Sequence, residues 1–193
     1  MNIVETIKSE LMLHNEQFMS EAADKYNYWN EHVRYVLAEA KILAARHGAD
    51  KEIVELGALL HDIALVSREG TRAEHHSVGA ELAAALLEKY DYPTDRTERV
   101  KFCVLNHRSS KNAISIEELC VADADILAHF DNIPMLFSCL YARTENAVNL
   151  PLPEMRLLMK QSFDRDYDDL SAGTKEEFSE RYKLICSIVL GEK

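Results

Sequence analysis

Apolar residues recur at helical spacing along most of the chain, and this spacing constrains the fold more than any other feature. One long stripe runs from Trp29 to Ala44 and is followed by Gly48. Such spacing places the apolar side chains on one face of an α-helix. Strand-like alternation is not found in any stretch of note, and six glycines and four prolines are few for a turn-rich β fold. The sequence therefore predicts an all-α fold.

Start and stop signals predict where individual helices begin and end. Asp50 can cap a helix that runs to His61, and Pro93 precedes another helix. Capping-box spacing is found at Thr71 with Glu74, at Ser115 with Glu118 and at Thr174 with Glu177. One or two helices are predicted over residues of about 2–26, and single helices over about 51–61 and 73–90. Two or three further helices are predicted around 133–146, 152–165 and 174–190.

The net charge of −11 argues against a protein that binds duplex nucleic acid, because such a protein would carry a basic face. No apolar run reaches the roughly 20 residues that span a bilayer, and the N-terminus lacks a signal-peptide pattern. The cysteines are scattered without a CxxC pair, as is typical of reduced core residues: Cys103, Cys120, Cys139 and Cys186. We therefore expect a cytoplasmic protein whose partners are neither a membrane nor duplex nucleic acid.

The stretch Leu59-Leu60-His61-Asp62-Ile63-Ala64 places two ionisable side chains at the end of an apolar run. His61 continues the stripe formed by Val54 and Ala58, so its ring is expected to face the core. Burial of an imidazole and a carboxylate is costly unless partners satisfy them. Both groups are metal ligands, and a divalent cation would satisfy them together.

Other polar residues also lie on or near apolar helix faces. A single histidine of this kind is more often a satisfied core residue. Four of them together with two carboxylates, in one small domain, favour a metal centre instead. The set is His32, His61, Asp62, His76, His107 and Asp125.

The order of these residues resembles that of the HD superfamily of metal-dependent phosphohydrolases. The resemblance is carried by His32, by His61-Asp62 and by Ala124-Asp125-Ile126-Leu127. It implies one HD-like helical domain over residues 1–193, with a core of about 28–131, an N-terminal helix 1–27 and C-terminal helices 132–193. The Gly-Tyr-Pro signature of the cyclic-dinucleotide branch is absent from the chain.

The resemblance also implies a cofactor of one or two divalent transition-metal ions, with Mn, Fe, Co, Ni and Zn as candidates. The first ion would be held by His32, His61, Asp62 and Asp125. Asp62 would bridge to a second ion held by His76 and His107, which look like the histidines of subgroups that bind two metals.

Two of these assignments involve competing neighbours. Asp123 lies on the apolar stripe of its predicted helix, whereas Asp125 fits the family pattern of Ala-Asp, one residue and an aliphatic. Helical period alone does not decide between them, and we choose Asp125. His75 and His76 compete in the same way, and Gly79-Ala80 at the family spacing favours His76.

Hydrolysis of a phosphate ester is the reaction that the resemblance implies. A metal would lower the pKa of a bound water from about 15.7 toward 7. The resulting hydroxide would attack phosphorus, with His61 and Asp62 as the catalytic pair. Cations in the loops after His61-Asp62 and after His107 are predicted to contact phosphate: Arg68, Arg72, Arg108 and Lys111. The expected substrate is a small phosphorylated molecule, with a nucleotide as the first candidate.

Two other functions stay open. A di-iron HD-fold oxygenase would use the same ligand pattern to cleave C–H or C–P bonds. A degenerate HD domain would instead bind a nucleotide as a sensor, without turnover. The helices after residue 132 are expected to cover the site or to form a homodimer contact, and no motif decides between these roles.

Overall fold

The computed structural model describes residues 2–21, 26–145 and 149–192 of the 193-residue chain. Within these ranges every regular element is helical and no strand is formed, which confirms the predicted all-α fold. None of the described helices has the length and hydropathy needed to cross a membrane. The ten α-helices of these ranges are α1 (Ile3–Glu21), α2 (Arg34–His47), α3 (Lys51–Leu60), α4 (Ile63–Ser67), α5 (His75–Lys89), α6 (Thr94–Asn106), α7 (Ile116–Asp131), α8 (Ile133–Arg143), α9 (Leu152–Asp169) and α10 (Ala172–Leu190).

Two short helical turns lie between the longer elements. A π-helical turn, Trp29–Val33, leads directly into α2 and carries His32. A 3-10 turn, Ser110–Asn112, lies between α6 and α7. The predicted helices over residues 2–26 and 133–146 include residues 22–25 and 146, which are outside the described part of the chain.

The core lies between α2, α3, α6 and α7. Helix α7 packs along α2, α5 packs along α6, and α3 contacts α2, α6 and α7. The fully buried side chains include Leu56 of α3 and Val36 of α2, and Phe130 of α7 is almost as well covered. Burial of one such side chain stabilises the fold by about 1.5–3 kcal/mol. The helices that carry the polar side chains of interest are therefore fixed relative to one another.

Gly57 lies where α3 packs against α6 and α7. A Cβ atom at this position would lie 2.8 Å from Cys103 Cβ and 2.9 Å from Val121 Cγ2. Glycine is therefore the residue that permits this crossing. His61 follows Gly57 by one helical turn, and Asp125 follows Val121 by one turn, so the close crossing brings His61 and Asp125 together.

The helix boundaries confirm some of the predicted caps and correct one. The Asp50 side chain accepts a hydrogen bond from the Ile53 amide (3.4 Å) at the start of α3. The Ser115 hydroxyl accepts one from the Glu118 amide (3.2 Å) at the start of α7. The predicted start of the last helix at Thr174 is wrong, because α10 begins two residues earlier, at Ala172, and Ser171 is its cap.

The C-terminal helices are joined to α7 by a buried carboxylate. Helix α9 packs on α10 and also contacts α7. The Asp123 side chain is fully buried and accepts hydrogen bonds from Ser110 Oγ, from Thr174 Oγ1 (2.6 Å) and from the Ser171 amide (2.9 Å). The division of the chain into a core over residues 28–131 and flanking helices stays a prediction.

Candidate metal centre

Four side chains from three parts of the chain converge on a first donor group, which we define as His32 Nε2, His61 Nε2, Asp62 Oδ2 and Asp125 Oδ1. His32 Nε2 lies 3.0 Å from His61 Nε2 and 3.0 Å from Asp125 Oδ1. Asp62 Oδ2 lies 3.8 Å from His32 Nε2 and 3.6 Å from His61 Nε2. All four side chains are buried. The π-helical turn, the end of α3 and the middle of α7 thus contribute to one site.

A second donor group consists of Asp62 Oδ1, His75 Nε2 and His107 Nε2. His75 is the first residue of α5, and His107 directly follows the last residue of α6. His75 Nε2 lies 3.1 Å from His107 Nε2 and 3.4 Å from Asp62 Oδ1, and His107 Nε2 lies 3.9 Å from the same oxygen. The two oxygens of Asp62 therefore face different donor groups, as a bridging carboxylate requires.

Backbone carbonyls fix the rings of three of these histidines. The Nδ1 atom of His61 lies 2.8 Å from the Ala58 carbonyl oxygen. In His75 the corresponding distance to the Arg72 carbonyl is 2.7 Å, and in His107 the distance to Val104 is 2.6 Å. A carbonyl oxygen can only accept a hydrogen bond, so each Nδ1 carries the proton and donates it. In the neutral ring, Nε2 then carries no proton, and its lone pair points into the site.

This arrangement of donors fits a metal ion. The bare Nε2 atoms of His75 and His107 face each other, and both also face the Asp62 carboxylate. Without a cation these lone pairs would repel one another in a site with little water. Neutral imidazole and carboxylate are ligands of divalent transition metals. The groups His32–His61–Asp62 and Asp62–His75–His107 each have donor atoms close enough to hold one ion.

The protonation states of the buried groups also suit metal binding. Burial, together with the neighbouring His61, lowers the pKa of His107 to about 4, so this ring is neutral near pH 7. Burial opposes the ionisation of Asp62 and Asp125. The imidazoles of His61 and His32 outweigh burial and lower the pKa of both carboxyls below the ordinary value. Neutral rings and ionised carboxylates are the forms that bind metals.

The structure brings His75, and not His76, into the second donor group, which corrects the sequence-based choice. Helix α5 begins at His75, and the Arg72 carbonyl aligns the ring of this residue with His107. The next residue lies about 100° further around the helix, so the ring of His76 points elsewhere. Burial and the charge of Arg108 lower the pKa of His76.

Of the two competing carboxylates, Asp125 lies in the first donor group and Asp123 does not. Asp125 Oδ1 is 3.0 Å from His32 Nε2. Asp123 points to the other side of α7, where the hydroxyl groups of Ser110, Ser171 and Thr174 donate to its oxygens. Asp125 therefore lies among the donor atoms, and its role as a metal ligand stays a prediction.

The four predicted phosphate-binding cations lie in different surroundings. The guanidinium of Arg108 is 3.5 Å from the Ala73 carbonyl, beside the start of α5. Lys111 pairs with Asp169 of α9 at 2.7 Å. Arg72 contributes its carbonyl to the His75 ring, and Arg68 has a left-handed backbone conformation (φ 56°) at the end of α4. Their contact with phosphate stays a prediction.

His129 of α7 also faces the first donor group, and sequence reasoning did not select it. Its Nε2 lies 4.0 Å from Asp125 Oδ1, and its Nδ1 lies 3.0 Å from Asp166 Oδ2 of α9. Burial disfavours a charged ring. The hydrogen bond to Asp166 and the charge of Asp125 outweigh burial and raise the pKa of His129 to about 9. The sequence offered one signal for His129, which is that it lies four residues after Asp125 and so on the same face of the helix. Its partner Asp166 is 37 residues away and could not be found from spacing.

Two solved structures share this fold over nearly the whole chain. A predicted HD superfamily hydrolase from an uncultured Thermotogales bacterium is 20% identical and aligns with a TM-score of 0.56, covering 95% of this chain and 98% of its own. An HD-superfamily hydrolase from Bacillus thuringiensis is 20% identical and aligns with a TM-score of 0.62, covering 96% of this chain and 93% of its own. At this identity the likeness shows the fold. No curated protein matches the chain significantly.

A family model provides the assignment. The model of the HD domain matches residues 30–129, which is more than half of the 193-residue chain. The matched segment contains every residue of both donor groups, from His32 to Asp125. The chain therefore belongs to the HD domain family.

Proposed function

We propose that this protein is a metal-dependent phosphohydrolase that acts on a small phosphate ester, and that the ester is a nucleotide. The observation that carries the proposal is the position of Asp62, whose two oxygens face two separate groups of imidazole rings. Two neighbouring ions that share a carboxylate are a common arrangement in phosphate-ester hydrolysis. Family membership supports the proposal, as do the names of the two similar structures, both of which are called hydrolases.

The donor set favours Mn²⁺, Fe²⁺, Co²⁺, Ni²⁺ or Zn²⁺ over Ca²⁺, which prefers oxygen ligands only. His32, His61 and Asp125 would hold the first ion, and His75 and His107 the second, with Asp62 shared between them. When bound, such ions supply an activated water and neutralise the charge of a phosphoryl group.

The protein itself orients the ligands and provides positive charge. The carbonyls of Ala58, Arg72 and Val104 hold three rings with Nε2 directed inward. Outer partners of this kind are important for metal affinity. Arg108 directly follows His107, and its guanidinium lies near the start of α5. We expect it to contact a phosphate oxygen bound beside the second donor group.

The proposal is tested by measuring the metal content of the purified protein and phosphate release from a panel of nucleotides. Each assay is run with and without a chelator. We expect bound transition metal, hydrolysis of at least one nucleotide and loss of activity after chelation. Asp62→Ala should abolish hydrolysis and leave the helical content unchanged. Full activity in Asp62→Ala would refute the proposal.

Asp95→Ala is the matched control, because Asp95 is an exposed carboxylate in the first turn of α6. Its activity should equal that of the parent protein. Oxygen consumption by iron-loaded protein without phosphate release would replace the proposal with an oxygenase. Nucleotide binding without turnover would replace it with a sensor.

A further inference from the structure

We propose that His129 is an additional metal ligand of the first donor group and that Asp166 is the carboxylate that holds its ring in place. This inference rests on the metal centre of the proposed function and adds two residues to it. His129 was not among the ligands predicted from the sequence, and Asp166 lies beyond the segment matched by the family model, residues 30–129.

The ring of His129 is arranged like the rings of three histidines in the two donor groups. In His61, His75 and His107, Nδ1 donates a hydrogen bond to a carbonyl oxygen, and Nε2 points into the site. In His129, Nδ1 lies 3.0 Å from Asp166 Oδ2, and Nε2 points toward Asp125. A metal-binding histidine typically donates its second ring N–H to a carboxylate or a carbonyl in this way.

The distances are short enough for His129 and Asp125 to hold the same ion. Two donors that each lie about 2.1 Å from an ion are at most about 4.2 Å apart. His129 Nε2 and Asp125 Oδ1 are 4.0 Å apart. The donor atoms of His32, Asp125 and His129 all lie within 4.8 Å of one another, and the His32 and His129 rings stack with centroids 5.5 Å apart.

Asp166 connects the C-terminal helices to this donor group. It lies on α9, and its side chain is 23% exposed while that of His129 is 27% exposed. The pair is thus partly shielded from water. A charged hydrogen bond is stronger in such surroundings than at the surface. Because Asp166 lies on α9 and His129 on α7, the packing of these two helices positions the His129 ring toward the first donor group.

A different explanation is that His129 is a structural cation between Asp125 and Asp166. The two explanations predict opposite effects of removing the ring. If His129 is a ligand, its loss weakens binding of the ion. If it is only a positive charge beside the ion, its loss leaves binding unchanged or strengthens it, because a like charge has been removed.

The test is a titration of metal-free protein with Co²⁺, followed by visible absorption and by calorimetry. The absorption of Co²⁺ reports its ligands, and calorimetry gives the affinity for each ion. We expect His129→Ala to weaken binding of one ion by at least tenfold and to change the spectrum. Asp166→Asn keeps the shape of the side chain, and it should lower the affinity for the same ion by about tenfold.

His47→Ala and Asp168→Asn are the controls, since both residues are exposed and lie on the helices α2 and α9. Circular dichroism of the metal-free variants checks that each is folded. Parent-like spectra and affinities in both His129→Ala and Asp166→Asn would overturn the inference. A parent protein that binds no Co²⁺ would instead refute the metal centre itself, so the two failures are distinguishable.

Discussion

The Nε2 atoms of His75 and His107 lie 3.1 Å apart, although each ring places its proton on the opposite nitrogen. Two neutral rings in these tautomers have no hydrogen to share. They are held together because α5 and α6 pack side by side, with His75 at the start of one helix and His107 after the end of the other. The fold thus brings two lone pairs together at a position where a cation would stabilise them.

The first prediction compares His75→Ala with His76→Ala. Because His75 contributes Nε2 to the second donor group, we expect its removal to weaken binding of one divalent ion by tenfold or more. His76→Ala should keep both ions at the parent affinity. The measurement is the metal-to-protein ratio after dialysis against a fixed concentration of Mn²⁺ or Co²⁺. Loss of an ion in His76→Ala, with His75→Ala unaffected, would contradict the prediction.

The second prediction concerns the buried carboxylate of Asp123. Asp123→Ala leaves the hydroxyl groups of Ser110, Ser171 and Thr174 without their acceptor. We expect the free energy of unfolding to fall by about 3 kcal/mol, because buried donors would lose their partner. Urea denaturation followed by circular dichroism measures this change. Asp95→Ala, at an exposed site, should change stability by less than about 0.5 kcal/mol. Equal stability of the two variants would rule out the role of Asp123.

The third prediction uses two glycines in different surroundings. In Gly57→Ala, the new methyl group would lie 2.8 Å from Cys103 Cβ, and this overpacking costs about 1–3 kcal/mol. The better helix propensity of alanine offsets up to about 1 kcal/mol. We therefore expect the free energy of unfolding to fall by about 1 kcal/mol, and by at most about 3 kcal/mol.

Gly173→Ala is the matched control for this substitution. No atom lies within 4 Å of a Cβ placed at Gly173, in the first turn of α10. Alanine should therefore be neutral or stabilise by up to about 1 kcal/mol. Urea denaturation of both variants gives the comparison. A stabilising Gly57→Ala would show that α3 can move away from Cys103.

The fourth prediction is a pH dependence of stability that comes from Asp50. Partial burial opposes its ionisation, but hydrogen bonds from Arg96 and from the Ile53 amide outweigh burial and lower the pKa of Asp50. A lowered pKa in the folded state stabilises the protein above the unfolded value of about 3.9, and this contribution is lost as the pH falls through the folded-state pKa. Asp50→Asn keeps the helix cap and removes the charge.

We expect Asp50→Asn to reduce the free energy of unfolding at pH 7 by about 0.5–1 kcal/mol, since the ion pairs are partly exposed. The difference from the parent protein should narrow below about pH 4. Urea denaturation at pH 7 and at pH 3.5 measures it. Equal stability of Asp50→Asn and the parent protein at pH 7 would show that Asp50 acts as a cap alone, and a difference that does not change with pH would contradict the link to its pKa.

Much of the fold could be predicted because local signals determine it. Helical spacing placed His61 on the same face as Val54 and Ala58, and the structure buries all three. The caps at Asp50 and Ser115 lie within three residues of the amides that they bind. Signals of this kind depend on short stretches of the chain and can be read without knowledge of tertiary contacts.

The remaining features depend on contacts between distant residues. The sequence favoured His76, whereas the structure places His75 beside His107, which lies 32 residues further along the chain. Lys111 was expected to contact phosphate, but it pairs with Asp169, which lies 58 residues further along the chain. His129 likewise depends on Asp166, 37 residues away. Spacing alone cannot indicate such partners.

The bonds of Asp123 have a consequence for anyone who shortens this protein. The match to the family model ends at residue 129, yet two of the hydroxyls that donate to this carboxylate belong to Ser171 and Thr174. A fragment trimmed to residues 30–129 would keep the Asp123 carboxylate. It would lose the hydroxyl groups of Ser171 and Thr174, which donate hydrogen bonds to that carboxylate. Such a fragment should be less stable than a chain that extends to the first turn of α10.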